Sequence, residues 1–156
     1  MFRITVLLGL LGVASLSWGQ VSLSDCDFGL RLGQDLGESS QGLFAEYEGD
    51  KGQIVHLSAT TFEGLSKIYT AYLFPGDDVL FETEGLTYLY GGGPSVTFGN
   101  GTTYGVEGFA GINYKIADVP FGLRIDWRPG LSFVGNDAVT EVAQFGFNVI
   151  VFIDEF

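Results

Sequence analysis

The chain has 156 residues and is strongly acidic, with 19 Asp and Glu residues against 7 Lys and Arg residues and a formal net charge of −12. So acidic a surface argues against nucleic acid as a partner. Only 17% of the residues are charged, below the roughly 25% typical of soluble domains, whereas 15% are aromatic and 24 are glycine. Few charges and many aromatic residues indicate strands that do not present an ordinary water-facing surface.

The first nineteen residues have the pattern of a secretory signal peptide. Arg3 precedes an apolar run over residues 4–13, which is too short to cross a bilayer core of about 30 Å as a helix. We expect cleavage before Gln20, and the alternative is an uncleaved N-terminal anchor. Residues 20–156 then form one domain. This domain carries six Lys and Arg residues against nineteen Asp and Glu residues.

The sequence predicts no cofactor and no metal site. Cys26 is the single cysteine, so an exported chain cannot form an internal disulfide or a cysteine-rich metal site with it. Asp25 precedes it where a lipoprotein requires a small residue, which argues against lipid attachment. The acidic run 77–84 could bind calcium through its carboxylates, but it lacks the spacing of an EF-hand loop. We interpret this run as a solvated connection.

Alternation of apolar and polar residues predicts about eight β-strands separated by turn residues. In chain order they cover residues 27–33, 42–48, 53–61, 65–74, 86–98, 104–116, 121–133 and 142–153. The glycine cluster at residues 91–93 predicts a bend or bulge in the fifth strand. No helix is predicted and the connections are short, so successive strands should pair as an antiparallel meander.

The fourth strand admits two phases. We assign Ile68, Thr70, Tyr72 and Phe74 to its apolar face, because the opposite phase would place Lys67 there.

The clearest alternation lies between Pro120 and Pro129. One face of this strand is apolar and consists of Phe121, Leu123, Ile125 and Trp127. The other face combines glycine with charges and consists of Gly122, Arg124, Asp126 and Arg128. A soluble barrel or sandwich would turn the apolar face inward, whereas a membrane barrel would turn it outward.

Residue size and charge favour the membrane arrangement. The interior of an eight-stranded barrel is just wide enough for side chains to fill, and the many aromatic residues would overload it. A single Arg or Lys on the lipid face costs about 2 to 4 kcal/mol at the midplane, which favours placing the charges inside. The predicted lumenal charge network is Arg31, Glu46, Glu48, Glu107, Lys115, Arg124, Asp126 and Arg128. The predicted lipid-facing or girdle residues are Tyr104, Tyr114, Phe121, Leu123, Ile125, Trp127, Phe145 and Phe147.

Three segments resemble a family of small bacterial outer-membrane β-barrel proteins, similar in size to OmpX and the OmpA membrane domain. The segments are residues 28–33, residues 84–93 and residues 105–135, the last with its Asp-Val-Pro-Phe-Gly-Leu-Arg-Ile-Asp-Trp-Arg-Pro core. The likeness covers most of the chain after the signal peptide. It implies an outer-membrane location and a barrel fold, and it carries no catalytic residues.

The aromatic C-terminus is similar to the signal by which the barrel assembly machinery recognises its substrates. Phe156 is out of phase with the odd-numbered apolar residues of the last strand. We therefore expect a short tail after that strand, and the alternative is a bulge that resets the phase.

His56 and Ser58 raise an enzymatic alternative. They share a strand face near Glu46 or Glu48, and a base, a nucleophile and an acid could form a hydrolase site. The spacing resembles the His-x-Ser pair of the barrel enzyme that deacylates lipid A, although the surrounding residues do not match. Since the phase directs His56 into the lumen, we predict a lumenal polar pair and no enzyme.

The sequence therefore predicts an all-β, eight-stranded antiparallel up-and-down transmembrane β-barrel in the cell outer membrane of a Gram-negative bacterium. Both termini should lie on the periplasmic side, with no open pore. We expect a structural or adhesion-like role, with outward loops at residues 35–41, 62–64, 99–103 and 135–141. The expected partners are outer-membrane lipid, the barrel assembly machinery during insertion and an unknown extracellular partner. The alternative is a soluble periplasmic or secreted β-barrel that binds an apolar ligand, with residues 121–127 turned inward.

We expect Arg124, Asp126 and Arg128 to contact Glu107 and Lys115 across the sixth strand. This pairing is the most specific geometric expectation that the alternation supports.

Overall fold

The computed structural model describes residues 26–76, 83–99, 101–135 and 137–153. The predicted signal peptide, residues 77–82 of the acidic run and Phe156 lie outside these ranges. Over the described residues no helix is long and apolar enough to cross a membrane.

The described chain is all-β, as predicted, and contains ten strands. They are β1 (Cys26–Asp35), β2 (Glu38–Glu48), β3 (Ile54–Phe62), β4 (Leu65–Pro75), β5 (Leu86–Phe98), β6 (Thr102–Lys115), β7 (Phe121–Trp127), β8 (Gly130–Val134), β9 (Asp137–Glu141) and β10 (Phe145–Val151).

These strands close into an eight-stranded antiparallel barrel, which confirms the predicted fold class. Strands β1 to β6 pair in chain order, and β6 pairs with both β7 and β8. Strand β10 pairs with β7 on one side and with β1 on the other, which closes the ring. Strands β7 and β8 thus form the seventh barrel strand, while β9 and β10 form the eighth.

The break between β7 and β8 is local. Their register against β6 continues from Ala110 opposite Trp127 to Tyr104 opposite Phe133. At the break, Gly108 still donates its N–H to the Pro129 carbonyl oxygen at 2.7 Å. Pro129 has no N–H to donate in return, so one backbone hydrogen bond of the ladder is missing there.

The break between β9 and β10 is a β-bulge. Trp127 lies opposite Phe145, whereas Gly130 lies opposite Glu141. Three steps along one strand therefore match four steps along the other, which is one extra residue. The bulge reverses the phase, so Glu141 and Gln144 are both buried although one is odd-numbered and the other even-numbered.

The structure differs from two sequence expectations about irregular segments. Of the bend or bulge expected at the glycines 91–93, the bulge is absent, because β5 stays in one register with β6 from Leu86 opposite Tyr114 to Phe98 opposite Thr102. A Cβ atom at Gly91 or Gly93 would meet the backbone of β4, so these glycines permit close strand approach instead.

The four expected outward loops are also shorter than predicted. The segment 35–41 reduces to a two-residue turn at Leu36 and Gly37, and 62–64 reduces to one at Glu63 and Gly64. All four turn residues have positive φ, as in the type I′ turns of tight hairpins. In the other two segments, β6 already begins at Thr102, and residues 137–141 form β9.

The two faces of the sheet have opposite character. Charged and polar side chains are buried inside, whereas large apolar side chains are exposed outside. Strand β4 has the predicted phase, since Lys67 is buried and Tyr72 and Phe74 are exposed. An unpredicted apolar cluster also lies inside the barrel and consists of Tyr69, Ala71, Leu73, Leu89 and Phe109.

Replacing Leu36 with asparagine should stabilise the barrel, because leucine at φ 55° carries a left-handed strain of about 1 kcal/mol. Asn tolerates this conformation and is preferred before glycine in a type I′ turn. We expect Leu36→Asn to raise the urea unfolding midpoint relative to Leu36→Ala, which removes the same side chain but keeps the strain. Equal midpoints for the two variants would contradict this explanation.

Candidate lumenal charge network

One connected network of ionisable side chains occupies the lumen. Each member is at least nine-tenths buried, and together they come from most of the barrel strands. The members are Arg31, Asp35, Glu46, His56, Lys67, Glu107, Arg124, Asp126, Arg128 and Glu141.

The shortest cross-barrel contact joins β7 to β2. Arg124 donates through Nη1 to Glu46 Oε1 at 2.5 Å and through Nη2 to Glu46 Oε2 at 2.7 Å. Its Nε also donates to the Asn113 side chain. The guanidinium carbon lies 5.4 Å from the ring centroid of Phe44, within the range of a cation–π contact. The pair is bidentate and sealed by aromatic carbon, which makes it strong and specific.

Arg128 is buried in the lumen and contacts several strands. It donates through Nε to Asp126 at 3.0 Å and through Nη1 to the Ser58 hydroxyl at 3.1 Å. Its guanidinium carbon lies 5.1 Å from the Tyr69 ring and 5.2 Å from the Phe109 ring. Arg128 thereby links β3, β4 and β6 to the seventh barrel strand.

Arg31 extends the network towards the barrel end at which β1 finishes. It donates to Asp35 at 3.0 Å, to the Ser40 hydroxyl at 3.1 Å and to Asp126 at 3.4 Å. A Cβ atom at Gly146 would lie 2.6 Å from the Arg31 Nε. The absence of a side chain at Gly146 therefore provides the space that the guanidinium occupies.

Lys67 is surrounded by acidic groups. Its ammonium nitrogen lies 2.6 Å from Glu107, 3.4 Å from Asp35 and 3.9 Å from Glu141. It also donates to the Gln144 side-chain oxygen at 2.8 Å, and the Gln144 amide in turn donates to Glu141 at 2.5 Å. The bulge matters here, because it brings both Glu141 and Gln144 to the lumen.

The charges of the network nearly cancel. Among the described buried residues four are basic, namely Arg31, Lys67, Arg124 and Arg128, and five are carboxylates. Buried ions require partners, because leaving one unpaired costs several kcal/mol. Such a network can hold the wall strands at fixed positions across the lumen.

The predicted network members are only partly brought together. Six of them are buried in the lumen: Arg31, Glu46, Glu107, Arg124, Asp126 and Arg128. Glu48 and Lys115 are exposed instead, because each is the last residue of its strand and lies at the barrel rim, where water solvates a charge. Lys115 lies 4.9 Å from the ring centroid of Phe152.

The partners also differ from those expected across the sixth strand. Arg124 pairs with Glu46, Asp126 with Arg31 and Arg128, and Glu107 with Lys67. The Arg124–Glu46, Arg31–Asp126 and Lys67–Glu107 pairs join strands that share no backbone ladder, whereas Asp126 and Arg128 are two residues apart in the chain.

Sequence reasoning missed Asp35, Lys67 and Glu141 as network members. Asp35 lies four residues after Arg31 and so shares its strand face, a signal that was available. The predicted phase of the fourth strand directs Lys67 into the lumen, so that phase alone was enough to include Lys67 in the network. Glu141 could not have been found, because the bulge reverses its phase.

His56 is buried and holds a fixed orientation. Its Nδ1 lies 2.7 Å from Glu46, a contact in which the ring N–H donates to the carboxylate. Its Nε2 lies 3.4 Å from Arg128 Nη2, and the Ser58 hydroxyl accepts from the same guanidinium. The pair is thus part of the polar network, and Arg128 lies at hydrogen-bond distance from both groups.

The predicted lipid-facing or girdle residues lie on the outer face. Seven of them are large exposed apolar residues: Tyr104, Tyr114, Phe121, Ile125, Trp127, Phe145 and Phe147. Leu123 has intermediate exposure on the same face. Tyr72 and Phe74 lie on the outer face of β4, as its predicted phase requires, and Phe74 stacks on Tyr90 of β5 at 5.8 Å and contacts Tyr72 at 5.1 Å.

Neither a protein-family model nor a curated protein matches the chain. Among solved structures, the solution NMR structure of the de novo designed TMB2.3 is similar, with 14% sequence identity and a TM-score of 0.56. The likeness covers 81% of this chain and 92% of the designed one, which is a transmembrane β-barrel. At this identity the comparison shows the fold alone, a small β-barrel like that of a designed transmembrane barrel.

Breaking the Arg124–Glu46 pair should destabilise the barrel strongly. We expect Glu46→Leu to cost about 3 to 5 kcal/mol in the free energy of unfolding, because it leaves Arg124 buried without its carboxylate. The double variant Glu46→Leu with Arg124→Leu should lose less than this single variant. The matched control is Glu48→Leu on the same strand face at the rim, with an expected change within about 0.5 kcal/mol. Urea unfolding measures all three, and an equal loss at residues 46 and 48 would contradict the assigned role.

Proposed function

We propose that the chain is an outer-membrane β-barrel with a structural and surface-interaction role and a lumen closed to solutes. The observation that supports it is the inverted distribution of side chains. The closed barrel buries ten ionisable residues inside while Ile125, Tyr104 and Phe145 are each more than half exposed outside. A water-soluble protein rarely exposes so continuous an apolar surface, whereas lipid favours it.

The strand architecture supports insertion into a bilayer. Backbone groups in hydrocarbon must be satisfied internally, and the barrel achieves this where the pairing of β10 with β1 and β7 closes the ring of strands. Strands β5 and β6, with 13 and 14 residues, exceed the roughly 9 to 11 residues that a tilted membrane strand needs. Exposed tyrosine and phenylalanine side chains near the strand ends are typical of interfacial girdles.

The outer-membrane location rests on further sequence features. The N-terminal segment has the pattern of a secretory signal peptide, which would export the chain. The partners of this proposal are outer-membrane lipid, the barrel assembly machinery during insertion and an extracellular partner.

The soluble alternative needs the apolar face of residues 121–127 turned inward. In the structure Phe121, Ile125 and Trp127 are exposed, and the lumen that an apolar ligand would occupy contains the charge network. We therefore do not favour a lipocalin-like function. Nor do we propose a hydrolase, since His56 and Ser58 are buried among network residues.

Fractionation tests the proposal directly. We expect the expressed chain to sediment with the outer membrane and to require detergent for extraction. Unheated samples should migrate differently from boiled samples on a denaturing gel, because a closed barrel resists unfolding by detergent alone. Full recovery in the soluble periplasmic fraction without detergent would refute it.

A charge on the outer face distinguishes lipid from water as its surroundings. Ile125 is 63% exposed, so Ile125→Arg should change stability by no more than about 0.5 kcal/mol if that face meets water. In lipid the same substitution should cost about 2 to 4 kcal/mol. Urea unfolding in phospholipid vesicles gives the measurement, and Asp50→Arg in an exposed turn is the control. A negligible loss for Ile125→Arg would contradict membrane insertion.

A further inference from the structure

Among the described residues, strand β9 pairs with a neighbouring strand on one side only. It pairs with β8 from Gly130 opposite Glu141 to Val134 opposite Asp137, and it is the terminal strand in the sheet order. Every other strand among the described residues has a partner on both sides. The free edge of β9 therefore carries unpaired backbone N–H and C=O groups over five residues.

The geometry of the neighbouring strands explains why this edge is open. The ladder between β1 and β10 ends at Gly33 opposite Gly146. Beyond this pair β1 ends, and the chain turns at Leu36 and Gly37 into β2. On the other side of the bulge the eighth barrel strand continues as β9, which pairs with β8. The β8–β9 hairpin thus continues past the point where its neighbour ends.

An open edge is a template for strand addition. Natural proteins usually block such edges with lysine, proline or an inward-pointing charge at the edge itself. Strand β9 has the sequence Asp-Ala-Val-Thr-Glu, without lysine or proline. Its inward-pointing charge, Glu141, is the last residue of the strand, and the first four residues are exposed. Its β-branched Val139 and Thr140 suit an extended partner. The edge is therefore available for main-chain hydrogen bonds, the recognition mode of β-augmentation.

The charge of this barrel end selects among partners. At the barrel end that carries β9, the described charged residues outside the lumen are Glu38, Glu63 and Asp137, which are all acidic and exposed. The exposed lysines, Lys51 and Lys115, lie at the opposite end. A second copy is a poor partner, because antiparallel pairing of two β9 strands places Asp137 opposite Glu141, and facing like charges are destabilising.

We propose that the free edge of β9 binds an extended cationic peptide segment of another protein, added as an antiparallel strand. The partner's main chain supplies the hydrogen bonds, and its basic side chains contact the acidic end of the barrel near Asp137 and Glu38. This proposal deepens the proposed function, because it gives the extracellular partner a binding surface and a chemical class. The turns at Leu36 and Glu63 are too short to form a binding surface, so the free edge of β9 is the surface that can bind a partner at this end.

The test uses the full chain refolded in nonionic detergent micelles, with folding verified by its gel mobility. The probe is the fluorescent, end-blocked peptide Lys-Val-Thr-Val-Lys, whose length matches β9. The control peptide, Lys-Val-Pro-Val-Lys, has the same charge but cannot donate a central backbone hydrogen bond. Anisotropy should show binding of the first peptide and at least a tenfold weaker affinity for the second.

Two further measurements locate the site. Asp137→Asn should weaken binding about threefold to fivefold, as expected for one cross-strand charge pair, whereas Asp50→Asn at the opposite end should leave it unchanged. Hydrogen exchange should show that the peptide protects alternate amides of β9 and leaves those of β3 unaffected.

Equal affinity for both peptides, or binding without protection of β9 amides, would overturn the proposal. Either result leaves the membrane proposal intact, because folding and fractionation are measured separately. Conversely, a chain that binds the peptide at β9 but needs no detergent would refute membrane insertion and not the edge site.

Discussion

The barrel depends on the pairing of ions that are held away from water. Arg124 contacts Glu46 through two hydrogen bonds across the lumen. Arg128 donates hydrogen bonds to Asp126 and Ser58, and its guanidinium lies over the rings of Tyr69 and Phe109. Each guanidinium is tolerated inside only because it has a carboxylate partner at hydrogen-bond distance. The network therefore couples strands that share no backbone ladder, so that the barrel wall and its contents stabilise one another.

The same constraint explains the distribution of small residues. A lumen that contains several arginines has no room for a side chain at every inward position. Gly146 lies beside the Arg31 guanidinium, and the ring of Phe44 lies where a Cβ atom at Gly29 would be. Glycine at these two inward positions thus matches a bulky residue on the neighbouring strand, as the filling of a narrow cylinder with long side chains requires.

Much of the wall could be predicted from the sequence, because alternation is local. The strand between Phe121 and Trp127 and the phase of Lys67 follow directly from the period of two. The ion pairs could not be predicted, since Arg124 and Glu46 are 78 residues apart in the chain and only closure brings them together. The bulge near Glu141 was also hidden, because regular alternation resumes on both sides of it. The tight turn at Leu36 and Gly37 was also hidden, because leucine rarely adopts the positive φ that the first turn position has here.

Placing four of the six basic residues after Arg3 inside the lumen has a consequence for proteolysis. Arg31, Lys67, Arg124 and Arg128 are buried, so folded barrel offers trypsin only Lys51 and Lys115 among the described residues. Both lie at the end that carries Cys26 and Val151, the two ends of the described barrel wall. Trypsin applied to the opposite end would find no exposed lysine or arginine among the described residues there, whereas an unfolded chain would expose all six. Limited digestion from each side of a sealed vesicle would therefore report both folding and the direction of insertion.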